Sequence, residues 1–72
     1  MRYTYDKTRH HLTARDRQAV AAMLAKIGDL SAIGCTTGRN KYSLVMGDGQ
    51  ARLTVQNADG QFVIPLTLNT KG

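Results

Sequence analysis

Residues 13–28 read TARDRQAVAAMLAKIG, and this stretch combines a helix start, an apolar stripe and a helix stop. Thr13 stands three residues before Asp16, so hydroxyl and carboxylate can each satisfy an orphan backbone N–H of a first turn. Val20, Met23, Leu24 and Ile27 follow at the i, i+3, i+4, i+7 spacing of one helix face. Ala14, Ala19, Ala21, Ala22 and Ala25 raise helix propensity, and Gly28 can take the left-handed conformation that ends a helix. The spacing predicts a helix over residues 14–27 with Val20, Met23, Leu24 and Ile27 buried. Its opposite side carries Arg15, Gln18, Ala22 and Lys26, a basic rim around a small-residue floor. That is the pattern of a solvated helix back, or of a surface another backbone can approach closely.

Outward from the helix the period changes. From Lys41 onward apolar residues alternate with polar ones in three runs, at Tyr42, Leu44 and Met46, at Ala51, Leu53 and Val55, and at Phe62, Ile64, Leu66 and Leu68. Asp48-Gly49 reads as a two-residue turn with positive φ, which pairs Met46 with Ala51, Leu44 with Leu53 and Tyr42 with Val55. Only an even loop at residues 57–60 then keeps Phe62, Ile64 and Leu66 on the same face. Pro65 cannot donate to a ladder, so the last strand is an edge or has a bulge there. Met1, Tyr3 and Tyr5 alternate with Arg2 and Thr4 as a short N-terminal strand.

The expected fold is therefore α+β: one amphipathic helix packed on a three- or four-stranded antiparallel β-meander, with residues 51–56 in the middle. Residues 1–72 form a single domain, and residues 6–12, polar and aperiodic, read as a mobile basic linker. Beyond the helix, Leu30 and Ile33 are expected to close the core. Gly34, Gly38 and Asn40 then punctuate a loop carrying Cys35, Arg39 and Lys41. A recognition helix over residues 30–37 is disfavoured by two glycines and three β-branched residues in residues 33–38.

At 72 residues the chain is near the lower size limit for a core without staples. Its single cysteine cannot form an internal disulfide, which points to a reducing cytoplasm. No apolar run approaches the roughly 18 residues of a membrane span, and no signal-peptide core follows the N-terminal charges, so a soluble, untargeted protein without membrane contact is expected.

Ten Lys and Arg oppose five Asp and Glu, a formal charge of +5. The imbalance is heaviest at the start, where Arg2, Lys7, Arg9, Arg15 and Arg17 face Asp6 and Asp16, with His10 and His11 beside them. Such a field favours polyanions in general. Tyr3 and Tyr5 beside Arg2, Lys7 and Arg9 are the aromatic-basic interleaving of a stacking or docking arm, or an edge of the core. Lys41, Ser43, Arg52, Thr54 and Gln56 share a polar, mildly basic sheet face, while Tyr42 and Phe62 point to the core side, which counts against a sheet that stacks bases.

Other chemistry is thinly supported. Adjacent His10 and His11 lack helical i,i+4 ligand spacing, so no metal site is expected. Cys35 between Gly34 and Thr36 reads as a small buried residue rather than a nucleophile. Residues 34–39 have glycines and hydroxyls but not the spacing of a phosphate-cradling loop. No acid, base and nucleophile set converges, so neither an enzyme nor a cofactor is expected.

Two functions remain. In the first, a basic arm with Arg2, Lys7, Arg9, Arg15 and Arg17, together with Arg39, Lys41 and Arg52, contacts phosphates, and the protein regulates a nucleic-acid process such as transcription. In the second, the domain docks on a larger nucleic-acid-processing machine, such as RNA polymerase or a nuclease. The alanine- and arginine-rich composition suits a bacterial or phage-encoded accessory protein. Oligomeric state is not readable.

Overall fold

The computed structural model describes residues 2–69. In chain order it contains β1 (Arg2–Thr4), α1 (Ala14–Ile27), β2 (Ala32–Thr37), β3 (Asn40–Met46), β4 (Gln50–Asn57) and β5 (Gly60–Asn69). The strands form one five-stranded antiparallel sheet in the order β1-β5-β4-β3-β2. The class is α+β as expected, with five strands where the sequence predicts three or four.

Helix α1 has the expected bounds and start. Thr13 Oγ1 accepts from the Asp16 N–H at 3.1 Å, and Asp16 Oδ2 accepts from the Thr13 N–H at 3.0 Å. Gly28 ends the helix at φ 51° and ψ −121°, a positive-φ geometry outside the left-handed helical region. The buried stripe is rotated from the expected one. Asp16, Ala19, Val20, Met23 and Ile27 are buried, whereas Leu24 is half-buried at the margin.

The added strand is β2, where a loop is expected from the glycines. It pairs with β3 through Ile33 opposite Leu44 and Cys35 opposite Tyr42, and closes on a two-residue turn at Gly38 and Arg39. Its outward row is Ala32, Gly34 and Thr36, too small and polar to register as a strand pattern. Gly34 is there for contact: a Cβ would lie 3.2 Å from the carbonyl oxygen of Tyr42 on the paired strand. Leu30 does not close the core; it is 58% exposed in the turn after the helix, and Ile33 packs against the core edge instead.

The registers of the remaining strands follow the turns. Met46 faces Ala51, Leu44 faces Leu53 and Tyr42 faces Val55. The loop between β4 and β5 is even, with Asn57 opposite Gly60, Leu53 opposite Ile64 and Ala51 opposite Leu66. In the first of these turns only Gly49 has positive φ, at 71°; Asp48 does not share it. Pro65 lies opposite Arg52 on a part of β5 whose outer side is unpaired, because β1 joins β5 only at Thr67, Leu68 and Asn69. Met1, placed with the N-terminal strand by its alternation, lies outside the described residues.

One face of the sheet is thus apolar, and α1 packs over its β2 and β3 side. Tyr42, Leu44, Leu53 and Leu66 are fully buried with Val20, Met23 and Ile27, and Leu12 joins them from the segment before the helix. Residues 6–9 form a compact turn in which the Arg9 and His10 N–H groups donate to the Asp6 carbonyl at 3.2 and 3.0 Å.

These burials rank two neighbouring substitutions. Met23→Ala empties a site with 1% exposure and is expected to cost about 2 to 4 kcal/mol. Leu24→Ala, at the half-buried margin, should cost clearly less. Denaturant midpoints of the two variants measure the difference, and equal losses would contradict the observed helix rotation.

Candidate functional site

The residues that gather at one end of the molecule come from four elements. The registers bring the β2–β3 turn, the end of β4 and the start of β5 to that end, and the Asp16–Tyr42 hydrogen bond and the approach of Arg15 to Gly38 bring the N-terminus of α1 there. Between them runs a cleft of about 370 Å³, lined by Arg9, His10 and His11 together with Val55, Asn57 and Phe62.

A line of hydrogen bonds crosses the cleft's inner side. Tyr42 Oη donates to Asp16 Oδ1 at 2.5 Å, joining β3 to the helix start inside the core. Asn40 Nδ2 donates to Tyr42 Oη at 2.9 Å, and Asn57 Nδ2 donates to Asn40 Oδ1 at 3.3 Å. Asn57 Oδ1 accepts the Asp59 N–H at 2.8 Å, which sets the β4–β5 turn. Among the described residues no buried side-chain nitrogen or oxygen is left unpaired. The capping pattern in the sequence accounts for one Asp16 oxygen; the second carries the tether to Tyr42.

Phe62 is the main correction. Register puts it on the core face, opposite Val55, as expected. Yet it is 50% exposed, because α1 lies over β2 and β3 and leaves the start of β5 uncovered. An aromatic ring therefore stands open in a cleft that Arg9, His10 and His11 also line, so not every aromatic of the sheet is withdrawn into the core. The signal was present in the sequence as distance: Phe62 is only two residues beyond the turn glycine, at the far end of its strand.

The sequence's candidate residues divide into groups. Arg9 lines the cleft. Arg15 reaches the β2–β3 turn, its Nη1 3.0 Å from where a Cβ on Gly38 would stand, and Arg39 occupies that same turn. Lys41 is the next strand residue but one, opposite Gln56. Arg9, Arg15, Arg39 and Lys41 thus belong to one end, with His10 and His11. The exposed carboxylates there are Asp6 and Asp59, while Asp16 is used internally.

Arg52 and Arg2 lie on the sheet face away from the helix, and Lys41, although at the basic end, shares that face. That face also presents Val45 and Val63, exposed at 46% and 43%, with Ser43 and Thr54 between them. A smaller depression of about 280 Å³ lies beside Arg52 and Pro65 at the sheet's other end.

Tyr3 and Tyr5 are half-buried against the core, and Tyr3 faces Leu68. Burial pushes the Tyr3 phenol above its ordinary value, with Tyr5 adding to the rise and the Arg17 charge opposing it. Arg17 is therefore placed toward β1 rather than toward the cleft. Lys7 is exposed in the turn of residues 6–9. The Thr8 hydroxyl and N–H both donate to Asp6 Oδ1, and these bonds hold the Asp6 carboxyl below its usual range.

Among the described residues no three His, Cys, Asp or Glu side chains gather as a metal site would require, and no helix is long and apolar enough to cross a membrane. No protein-family model, curated protein or solved structure matches the chain.

Tyr42 supplies a test of the site's inner wall. Burial, and then the hydrogen bond to Asp16, raise its phenol above the ordinary 10.0, against a lowering contribution from Asn40. The folded state therefore holds this proton more tightly than the unfolded chain does. Its stabilising contribution is complete below the unfolded value and is lost as pH rises through the raised folded value. Denaturant midpoints of wild type should fall above about pH 10, and Tyr42→Phe should show a flatter alkaline limb. Identical alkaline limbs would contradict the buried tether.

Proposed function

We propose that the protein is a non-enzymatic binding domain that regulates a nucleic-acid process, such as transcription, by contacting phosphates through its basic end. The observation that supports this reading is that Arg9, Arg15 and Arg39, with His10 and His11, gather at the end where the cleft opens, and that Lys41 lies at the same end on the reverse face of the sheet. These cations are distant in sequence and come from a turn, a helix, a hairpin and a strand, so the fold, and not one basic run, assembles the patch.

Phosphate contact by such a patch follows from charge alone. Each neutralised phosphate releases condensed counterion, and the contacts position the protein without reading bases. Four contacts imply a slope of log K on log salt of about −3 to −4 on duplex DNA. Arg9, Arg15 and Arg39 are all exposed, so their joint replacement by Ala should leave folding intact. Affinity should then drop on every sequence alike, and the slope should become shallower by about 3.

Salt-dependent binding isotherms on duplex and single-stranded oligonucleotides measure both quantities. If duplex DNA, single-stranded DNA and RNA produce no chemical-shift changes at low salt, direct contact is wrong. The alternative, docking on a nucleic-acid-processing protein complex, then takes its place.

A further inference from the structure

We propose that the cleft beside Phe62 seats an unpaired nucleobase, so that the ligand class of the basic end is single-stranded nucleic acid. The inference rests on the phosphate-contact reading and deepens it.

The shape comes first. A duplex presents phosphates on a convex surface, and a flat or ridged set of cations is enough to meet it. Here Arg9 and the two histidines line a concavity of about 370 Å³ with an aromatic ring in its wall, a size within the range of small-ligand sites, about 300 to 1,000 Å³. Inside a duplex both faces of a base are stacked and its pairing edge is used, so a recessed ring cannot reach it. A base in a single strand is free on at least one face.

The chemistry of the walls agrees. Phe62 keeps half of its surface in water although it shares a face with Val55 and Ile64, which are buried. Every base has a π-face, so an open ring among cations is the general means of holding a single strand without choosing its sequence. Arg9, His10 and His11 line the same cleft, where they would meet the flanking phosphates of a seated nucleotide. The two carboxamides add a polar edge. Each Nδ2 carries two N–H groups, and one from Asn40 and one from Asn57 are used within the chain. Both residues line the cleft, so a seated base would meet a carboxamide edge there.

The charge pattern selects this occupant over an acidic peptide. A peptide's carboxylates are matched by cations alone, whereas the cleft joins cations, an open ring and amide donors, the three groups that phosphate, base face and base edge require together.

The test compares an oligodeoxythymidylate of about ten nucleotides with a duplex of equal length at one salt concentration. Wild type is expected to favour the single strand by about 10-fold or more, the order that one stacked base supplies. Phe62→Ala should abolish the preference and leave duplex affinity unchanged; Phe62→Tyr should retain it, and Phe62→Leu, which keeps bulk without a π-face, should lose it. The melting midpoint of each variant confirms that the domain is folded, as half-exposure of the ring leads one to expect. Equal single-strand and duplex affinity in wild type, or a preference that survives Phe62→Ala or Phe62→Leu, overturns the base site while leaving phosphate contact standing. Absence of binding to either oligonucleotide removes both readings.

Discussion

The hydrogen bond from Tyr42 Oη to Asp16 Oδ1 is the constraint on which the arrangement of helix and sheet depends. Asp16 is a carboxylate with 8% exposure in a domain of 72 residues, and a buried acid is costly unless its oxygens are satisfied. One oxygen closes the helix cap on Thr13 and the other accepts from a strand residue 26 positions away. A single side chain thus fixes where the helix begins and which strand it begins against. The hydrogen bonds continue through Asn40 and Asn57 to the β4–β5 turn, so the same line that anchors the helix also forms the inner side of the cleft.

Apolar packing does the remainder, and it is unevenly distributed. The helix covers β2 and β3, and the core closes around Val20, Met23, Ile27, Tyr42, Leu44 and Leu53. A helix of 14 residues cannot roof five strands. The start of β5 is left open, and Phe62 is exposed there although its alternation is that of a core residue. The cleft is a consequence of having one helix for a sheet of this width. The fold also regroups charge: Arg9, Arg15 and Arg39, distant in sequence, meet at the end where the cleft opens, while Arg2, Lys41 and Arg52 share the open face.

Much of this was legible in the sequence because local rules and tertiary packing agreed. Thr13 and Asp16 mark the helix start, and the two-residue turn at Asp48 and Gly49 sets a register that the apolar positions independently require. The even loop before Gly60 follows from the same parity argument. What was not legible depends on partners distant in sequence. β2 is an edge strand with Ala32, Gly34 and Thr36 on its outer side, so its period is carried by Ile33 and Cys35 alone. Gly34 looked like a loop residue because nothing local shows that the Tyr42 carbonyl lies against it. Leu12 reads as linker but is buried, and Leu30 reads as core but is exposed, since which of them meets the sheet is decided by the chain's path around the helix ends. Phe62 was assigned to the correct face, but alternation does not show how far a helix extends over that face.

The central claim is that Asp16 and Tyr42 act as one coupled unit joining helix to sheet. A double-mutant cycle measures it directly, using unfolding free energies of wild type, Asp16→Ala, Tyr42→Phe and the double variant, because the loss of the cap and of packing cancels and only the pairwise term remains. A hydrogen bond to a buried charged group predicts a coupling of about 1.5 to 3 kcal/mol. Additivity of the two single losses to within about 0.5 kcal/mol would contradict the account.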